Sequence, residues 1–216
     1  MRLHKYESEK EYSEAQIKMG TEGFNDRSCW VTKVVIDAVC DYVKNKKHSI
    51  GFGICHGVRT GTEVEAFRLG LGDLASLSDA NIIGTDICPV VSSVGNVIVH
   101  DFHYAKEEWI NSVDFIYTNS LDHSNRPKEC LESWFSCLTP EGLCFIDWGA
   151  SDDSDESSMS YADCFAATAQ ECEDMLNEVG QVVDVIDIPM RTIYKSDVQG
   201  VEILPATKIF VGKKVT

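Results

Sequence analysis

The residues able to do chemistry gather where apolar runs end. In GICHGVRTGTE, residues 53–63, Cys55, His56, Arg59 and Thr60 are interleaved with Gly57 and Gly61. Glycines there let the backbone approach a ligand that the side chains can then bond. A Walker-type phosphate loop needs GxxxxGK followed by Ser or Thr, and no such string occurs. The dinucleotide fingerprint GxGxxG is nearly met by Gly51 and Gly53, but its sixth position is His56, with Gly57 one residue late. Further along, Asp86 closes IIGTD, Asp101 closes VIVHD, and Asn119 and Ser120 follow FIYT, just before Asp122 and His123 in LDHS. An imidazole titrates near neutrality, so His123 is a candidate general base that Asp122 would orient, unless Asp122 contacts the substrate; the alternative is a loop histidine that helps close the site. His100 and His103 flank Asp101 in HDFH, but their spacing is not that of a helix-borne HxxxH pair and no cysteine cluster completes a zinc set. In so acidic a chain Asp122 and Asp147 read as solvated carboxylates, magnesium being possible but not favoured, and no metal is expected.

The elements that must position these residues alternate. Val31, Val34, Val35, Ala38, Val39, Tyr42 and Val43 recur at helical spacing and predict a helix over 28–44. Seven apolar segments then read as strands: HSIGFGIC, ANIIGTD, NVIVHD, VDFIYTN, GLCFIDW, VVDVIDI and KIFVG. Between them, helices or turns are expected over 62–71, 89–94, 105–110, 126–138 and 161–179, the last capped by Gly180. Helices separating buried strands imply an α/β fold, a doubly wound, mostly parallel seven-stranded sheet with helices on both faces. Residues 190–205 lack helical periodicity and read as a loop, which makes the last strand antiparallel. The acidic run SDDSDESSMS, residues 151–160, reads as a solvated loop or as a lid. Cys130, Trp134, Cys137 and Leu138 recur at helical spacing as core, whereas Trp148 could wall a pocket or pack inside.

Composition bounds the function. A chain of 216 residues with 44% hydrophobic residues suits one domain, 1–216. No apolar run approaches the roughly 20 residues of a membrane span, and MRLHKYESEKEY is too polar for a targeting signal, so no membrane association and a cytoplasmic location are expected. Nine scattered cysteines without a CxxC pair read as reduced core thiols. The formal net charge of −16 repels phosphate backbones and argues against nucleic acid, while a neutral or cationic small molecule, or a basic protein, is compatible.

In their order and spacing these landmarks resemble the class I S-adenosylmethionine-dependent methyltransferases, over roughly residues 30–212. That family opens with an acid and then glycines at every second position; Gly57 and Gly61 match, while Cys55 stands at the acid and Arg59 at the middle glycine. The resemblance implies that Cys55, His56, Gly57, Arg59, Thr60 and Gly61 form the cofactor turn. His56 would bond the cofactor carboxylate or brace the loop, and Arg59 would pair with that carboxylate or with Glu63. It further implies that Asp86, with Ile87 beside it, holds the ribose hydroxyls, that Asp101 and Phe102 meet the adenine, and that Asn119 and Ser120 line the methionine end. LTPEG resembles the LxPGG turn with Glu141 in place of a glycine. The implied activity is O- or N-methylation of a small molecule with His123 as base, S-adenosyl-L-homocysteine as product, and residues 1–27 covering the acceptor site; a homodimer is compatible. A nicotinamide-dependent oxidoreductase and a non-catalytic S-adenosylmethionine-binding module stand as alternatives.

Overall fold

A computed structural model describes residues 1–25, 30–46, 50–72, 81–149, 163–189, 191–195, 200–204 and 206–215. The acidic run at 151–160 lies outside the described residues, as does Cys29. In chain order the elements are β1 (Arg2–Leu3), α1 (Glu9–Asn25), α2 (Lys33–Asn45), β2 (Phe52–His56), α3 (Thr62–Leu71), β3 (Asn81–Asp86), β4 (Val97–Val99), β5 (Val113–Thr118), α4 (Pro127–Cys137), β6 (Leu138–Gly149), β7 (Phe165–Ala166), α5 (Ala169–Val179), β8 (Gln181–Ile188), β9 (Arg191–Lys195), β10 (Gly200–Leu204) and β11 (Thr207–Lys213).

The main sheet has seven strands in the order β4-β3-β2-β5-β6-β11-β8. Strands β2, β3, β4, β5 and β6 run parallel, and β11 is inserted antiparallel between β6 and β8, as the sequence pattern predicts. The chain builds outward from β2 to β4 and then returns to place β5 on the other side of β2. That reversal opens a crevice at the carboxyl ends of β2 and β5, where sheets of this kind bind ligands. Successive strand residues serve opposite faces: Phe115 and Tyr117 pack toward α2 and α3, with Val35, Val39 and Phe67, while Ile54 and Ile116 pack toward α4 and α5, with Leu131, Trp134 and Met175.

Several boundaries differ from the sequence reading, each for a local reason. The stripe on α2 is turned slightly: Ile36 and Cys40 are buried, and Val34 is 50% exposed. Residues 105–110 shrink to a 3-10 turn, Glu107–Trp109. The helix expected from 161 starts at Ala169, because Thr168 and Glu171 form a reciprocal capping box and Phe165–Ala166 pairs with Arg2–Leu3 instead. Within the segment expected to be a loop, β9 and β10 pair antiparallel, consistent with the β-favouring Thr192, Ile193 and Tyr194. Helix α1 runs through Gly23 to Asn25. Gly180 does cap α5, its N–H bonding the Leu176 carbonyl, in extended rather than left-handed backbone. The eight described cysteines are buried free thiols. Among the described residues no helix is long and apolar enough to cross a membrane.

Candidate functional site

The glycine turn begins where β2 ends. Gly57 has φ +72° and Gly61, the N-cap of α3, has φ +73°. A Cβ on Gly57 would sit 2.4 Å from Ser120 Oγ, so the β2 and β5 loops touch only because no side chain intervenes. Arg59, at the family's middle glycine position, also has positive φ, 42°. This left-handed backbone costs a non-glycine residue free energy, and a hydrogen bond from Arg59 N–H to Asp86 Oδ2 at 2.9 Å offsets it. The other oxygen of Asp86 accepts from Cys88 N–H at 2.8 Å. Asp86 thus fastens the turn to β3 while each oxygen keeps a second lone pair for a ligand hydroxyl.

Two connected spaces fill the crevice. The larger, about 560 Å³, is bounded by Gly57, Arg59, Thr60, Glu63, Asn119, Ser120, Asp122, His123, Asp147 and Asp163, with Glu22 and Gly23 of α1 and Trp30 above. The smaller, about 50 Å³, lies beside Asp86, Ile87, Asp101 and Phe102 and is roofed by Tyr12, Gln16, Met19 and Gly20 of α1. Gly57, Arg59, Ser120 and His123 border both, so they are two ends of one site.

Most expected ligand residues converge here. The exceptions are the Cys55 and His56 side chains and Gly61, which borders neither space and serves as the N-cap of α3. Cys55 is fully buried in the core against α2 and α3, its thiol pushed well up by desolvation with Glu63 adding to it. His56 braces the loop. Its Nδ1 lies 2.8 Å from Thr85 Oγ1 and its ring stacks on Trp134 at 5.0 Å. Burial, with the charge of His100 adding, lowers its pKa to about 3, so it is a neutral core imidazole. Trp148 is core as well, its Nε1 donating to the Ala167 carbonyl at 3.2 Å.

The HDFH histidines work as scaffolding. His103 bridges Asp101 Oδ1 through Nδ1 at 2.7 Å and Ser124 Oγ through Nε2 at 2.8 Å, and His100 Nε2 lies 2.6 Å from the Tyr104 carbonyl. The bridge ties the end of β4 to the loop that carries His123. Burial raises the Asp101 pKa, but bonds from His103, with its charge and that of Arg126, outweigh burial and hold the carboxyl below its usual range.

His123 faces the crevice. Its Nδ1 lies 3.3 Å from Asp163 Oδ1, whereas Nε2 is 3.9 Å from Asp122 Oδ1, too far for a hydrogen bond. The nearer carboxylate is therefore Asp163, which no sequence signal near His123 announces. Desolvation raises the pKa of Asp122, His123 opposing and Asp163 reinforcing, and its Oδ1 is buried without a hydrogen-bond partner among the described residues. Donor atoms of Asp122, His123 and Asp163 lie within 4.8 Å of one another, close enough to hold a cation. Asp147 is not in that group; its oxygens accept from Tyr117 Oη at 3.2 Å and Thr207 Oγ1 at 2.5 Å. Sequence reasoning also passed over Glu63 as a site residue in its own right, because an acid in a helix's first turn looks ordinary. It is 5% exposed, borders the larger space, and its Oε2 has no hydrogen-bond partner among the described residues.

No protein-family model matches the chain, and no curated protein does. Solved structures match its fold. A 1,6-didemethyltoxoflavin-N1-methyltransferase of Burkholderia thailandensis, crystallised with 1,6-didemethyltoxoflavin and S-adenosylhomocysteine, is 12% identical with a TM-score of 0.63, the match covering 99% of this chain and 93% of that one. An arsenic(III) S-adenosylmethionine methyltransferase of Chlamydomonas reinhardtii is 14% identical, TM-score 0.54, over 78% of this chain and 65% of that one. A 4+2 cyclase is 12% identical, TM-score 0.54, over 83% and 81%. The chain has the class I methyltransferase fold. Nitrogen, arsenic and ring closure among these neighbours make plain that the fold alone does not name the reaction.

Proposed function

We propose that the protein is an S-adenosylmethionine-dependent methyltransferase acting on oxygen or nitrogen of a small molecule, with His123 as general base. The observation that carries this reading is the convergence, at one switch-point crevice, of a glycine turn pinned to Asp86 and a histidine 3.3 Å from a carboxylate. The residues suit that cofactor. Gly57 leaves a cradle that a Cβ would fill, acids rather than a phosphate nest stand at the strand ends, and a buried oxygen of Glu63 has no hydrogen-bond partner among the described residues. Asp86 with Ile87 would hold the ribose, Asp101 and Phe102 the adenine, and Thr60, Gly61, Asn119 and Ser120 the methionine end; Arg59 would meet the carboxylate. When bound, the cofactor supplies an electrophilic methyl group. His123 takes the proton that the acceptor must lose, and Asp163 stabilises the imidazolium that results. Helix α1 and Trp30 would exclude water from the acceptor side, consistent with residues 1–27 as a cover within one domain.

Calorimetric titration with S-adenosylmethionine and S-adenosylhomocysteine, with NADH as control, tests the cofactor. Saturable binding lost in Asp86→Ala is expected, and binding of NADH alone would overturn the reading. For the base, His123→Ala should cut turnover by about a hundredfold or more while homocysteine-ligand affinity stays unchanged; undiminished turnover would remove His123 from the mechanism.

A further inference from the structure

Resting on the cofactor reading above, we infer that Glu63 is the counter-ion for the α-ammonium group of the bound cofactor, standing in for an acid that β2 lacks at Cys55. Glu63 belongs to the first turn of α3, directly after the glycine turn. It borders the larger space at the end where Arg59 and Thr60 also do. The residue is 95% buried by its 5% exposure, yet Oε2 has no hydrogen-bond partner among the described residues. An unpartnered buried carboxyl oxygen costs free energy that an incoming N–H donor would recover.

The groups facing it say which ligand charge fits. From β2 comes the Cys55 thiol, from β5 the Tyr117 hydroxyl bonded to Asp147 of β6, from β3 Asp86, from the turn Arg59, and from α1 Glu22 across the space. Acids therefore outnumber the one arginine, and a cation is the ligand group that relieves them. The N-terminal end of α3 favours the carboxylate form once a cation is present. Arg59 beside it offers a guanidinium suited to a carboxylate, so the two side chains together match the two ends of an amino-acid zwitterion.

In the free protein burial, with Asp86 adding and a bond from its own backbone and Arg59 opposing, raises the Glu63 pKa to about 8. At pH 7 the group holds a proton, and the ammonium expels it on binding. Proton balance is thus a readout independent of turnover.

The test is calorimetry with S-adenosylhomocysteine in buffers of different ionisation enthalpy, alongside 5′-methylthioadenosine, which lacks the amino-acid end. Expected at pH 7 is release of about one proton with the first ligand and none with the second, and an affinity for the first that rises by up to about tenfold per pH unit from 6 toward 8. At pH 8, Glu63→Gln should weaken S-adenosylhomocysteine about ten- to a hundredfold, abolish its proton release and leave 5′-methylthioadenosine unchanged. Proton release that is absent in the native protein, or that persists in the variant, overturns the assignment while leaving the cofactor reading intact. Binding of neither ligand overturns both. The native-protein measurement needs no variant, so a Glu63→Gln chain that failed to fold would still leave the assignment decidable.

Discussion

Glu63 and His56 sit on either side of the same loop as buried titratable groups, and their linkage to folding runs in opposite directions. His56 is lowered from 6.5 to about 3, chiefly by desolvation. The unfolded chain gains a proton below 6.5 that the native chain refuses, so this stability is complete above 6.5 and is lost as pH falls toward 3. Glu63 is raised from 4.5 to about 8, again chiefly by desolvation. The native chain keeps a proton that the unfolded one releases, so its contribution is complete below 4.5 and is lost as pH rises toward 8. Each effect is on the order of 5 kcal/mol at about 1.4 kcal/mol per pH unit. Glu63→Gln should therefore raise the Tm of the ligand-free protein at pH 8 and scarcely alter it at pH 5, even as it weakens the ligand. Thermal melts across that range, with no difference between the two pH values, would contradict the buried state assigned to Glu63.

The glycine turn and α1 are the elements that shape the crevice. Gly57→Ala meets two obstacles, positive φ and the Ser120 side chain at 2.4 Å, and should abolish S-adenosylhomocysteine binding. Adding Ser120→Gly removes the clash but not the backbone cost of about 1 kcal/mol or more, so calorimetry should detect partial recovery only. Helix α1 is seated by Gly20, where a Cβ would lie 3.0 Å from Cys88 Cβ, and by the Tyr12 hydroxyl, which donates to the His123 carbonyl at 3.1 Å. The 50 Å³ beside Asp86 holds one or two waters, at about 30 Å³ each, and not a nucleoside. Because α1 roofs this space, seating a nucleoside there is expected to displace the helix. Amide exchange across 9–25 should be faster than across α4 in the free protein and should slow on saturation with S-adenosylhomocysteine; full protection of α1 without ligand would point to another route.

Over the whole molecule the net charge is −16, and the larger space carries the same sign through Glu22, Asp122, Asp147 and Asp163. A cationic ligand is drawn into such a field and a neutral one is not. Stopped-flow association of S-adenosylmethionine should slow as salt is raised, and that of the overall neutral S-adenosylhomocysteine should change less. Equal salt dependence would show that the field does not guide entry. The cluster of Asp122, His123 and Asp163 gives a second whole-protein test. With His123 as base, dialysis against a chelator leaves turnover unchanged; a loss restored by magnesium would assign the histidine to a cation instead.

The sequence by itself determined the layers, the strands and the strand-end acids. Short, largely apolar runs such as NIIGT and DFIYT, bounded by polar residues and separated by helical segments, fit strands buried on both faces of a sheet, and a polar residue after each run marks where the chain regains water. Asp86 and Asn119 stand at those ends and Asp101 and His123 shortly beyond them, while the ligand roles of Asp86, Asp101 and Asn119 rest on the family resemblance. Tertiary structure decided the partners, because a partner is set by which distant segments meet. Trp134 of α4 stacks on His56 and makes it core, Ser124 and Asp101 claim His103, and Asp163 comes within reach of His123 from 40 positions away. Burial decides protonation in the same way. Nothing local in TEVEAF distinguishes Glu63 from the exposed Glu65, and only packing against β2, β3 and β5 leaves one of the two buried, with no hydrogen-bond partner for Oε2 among the described residues.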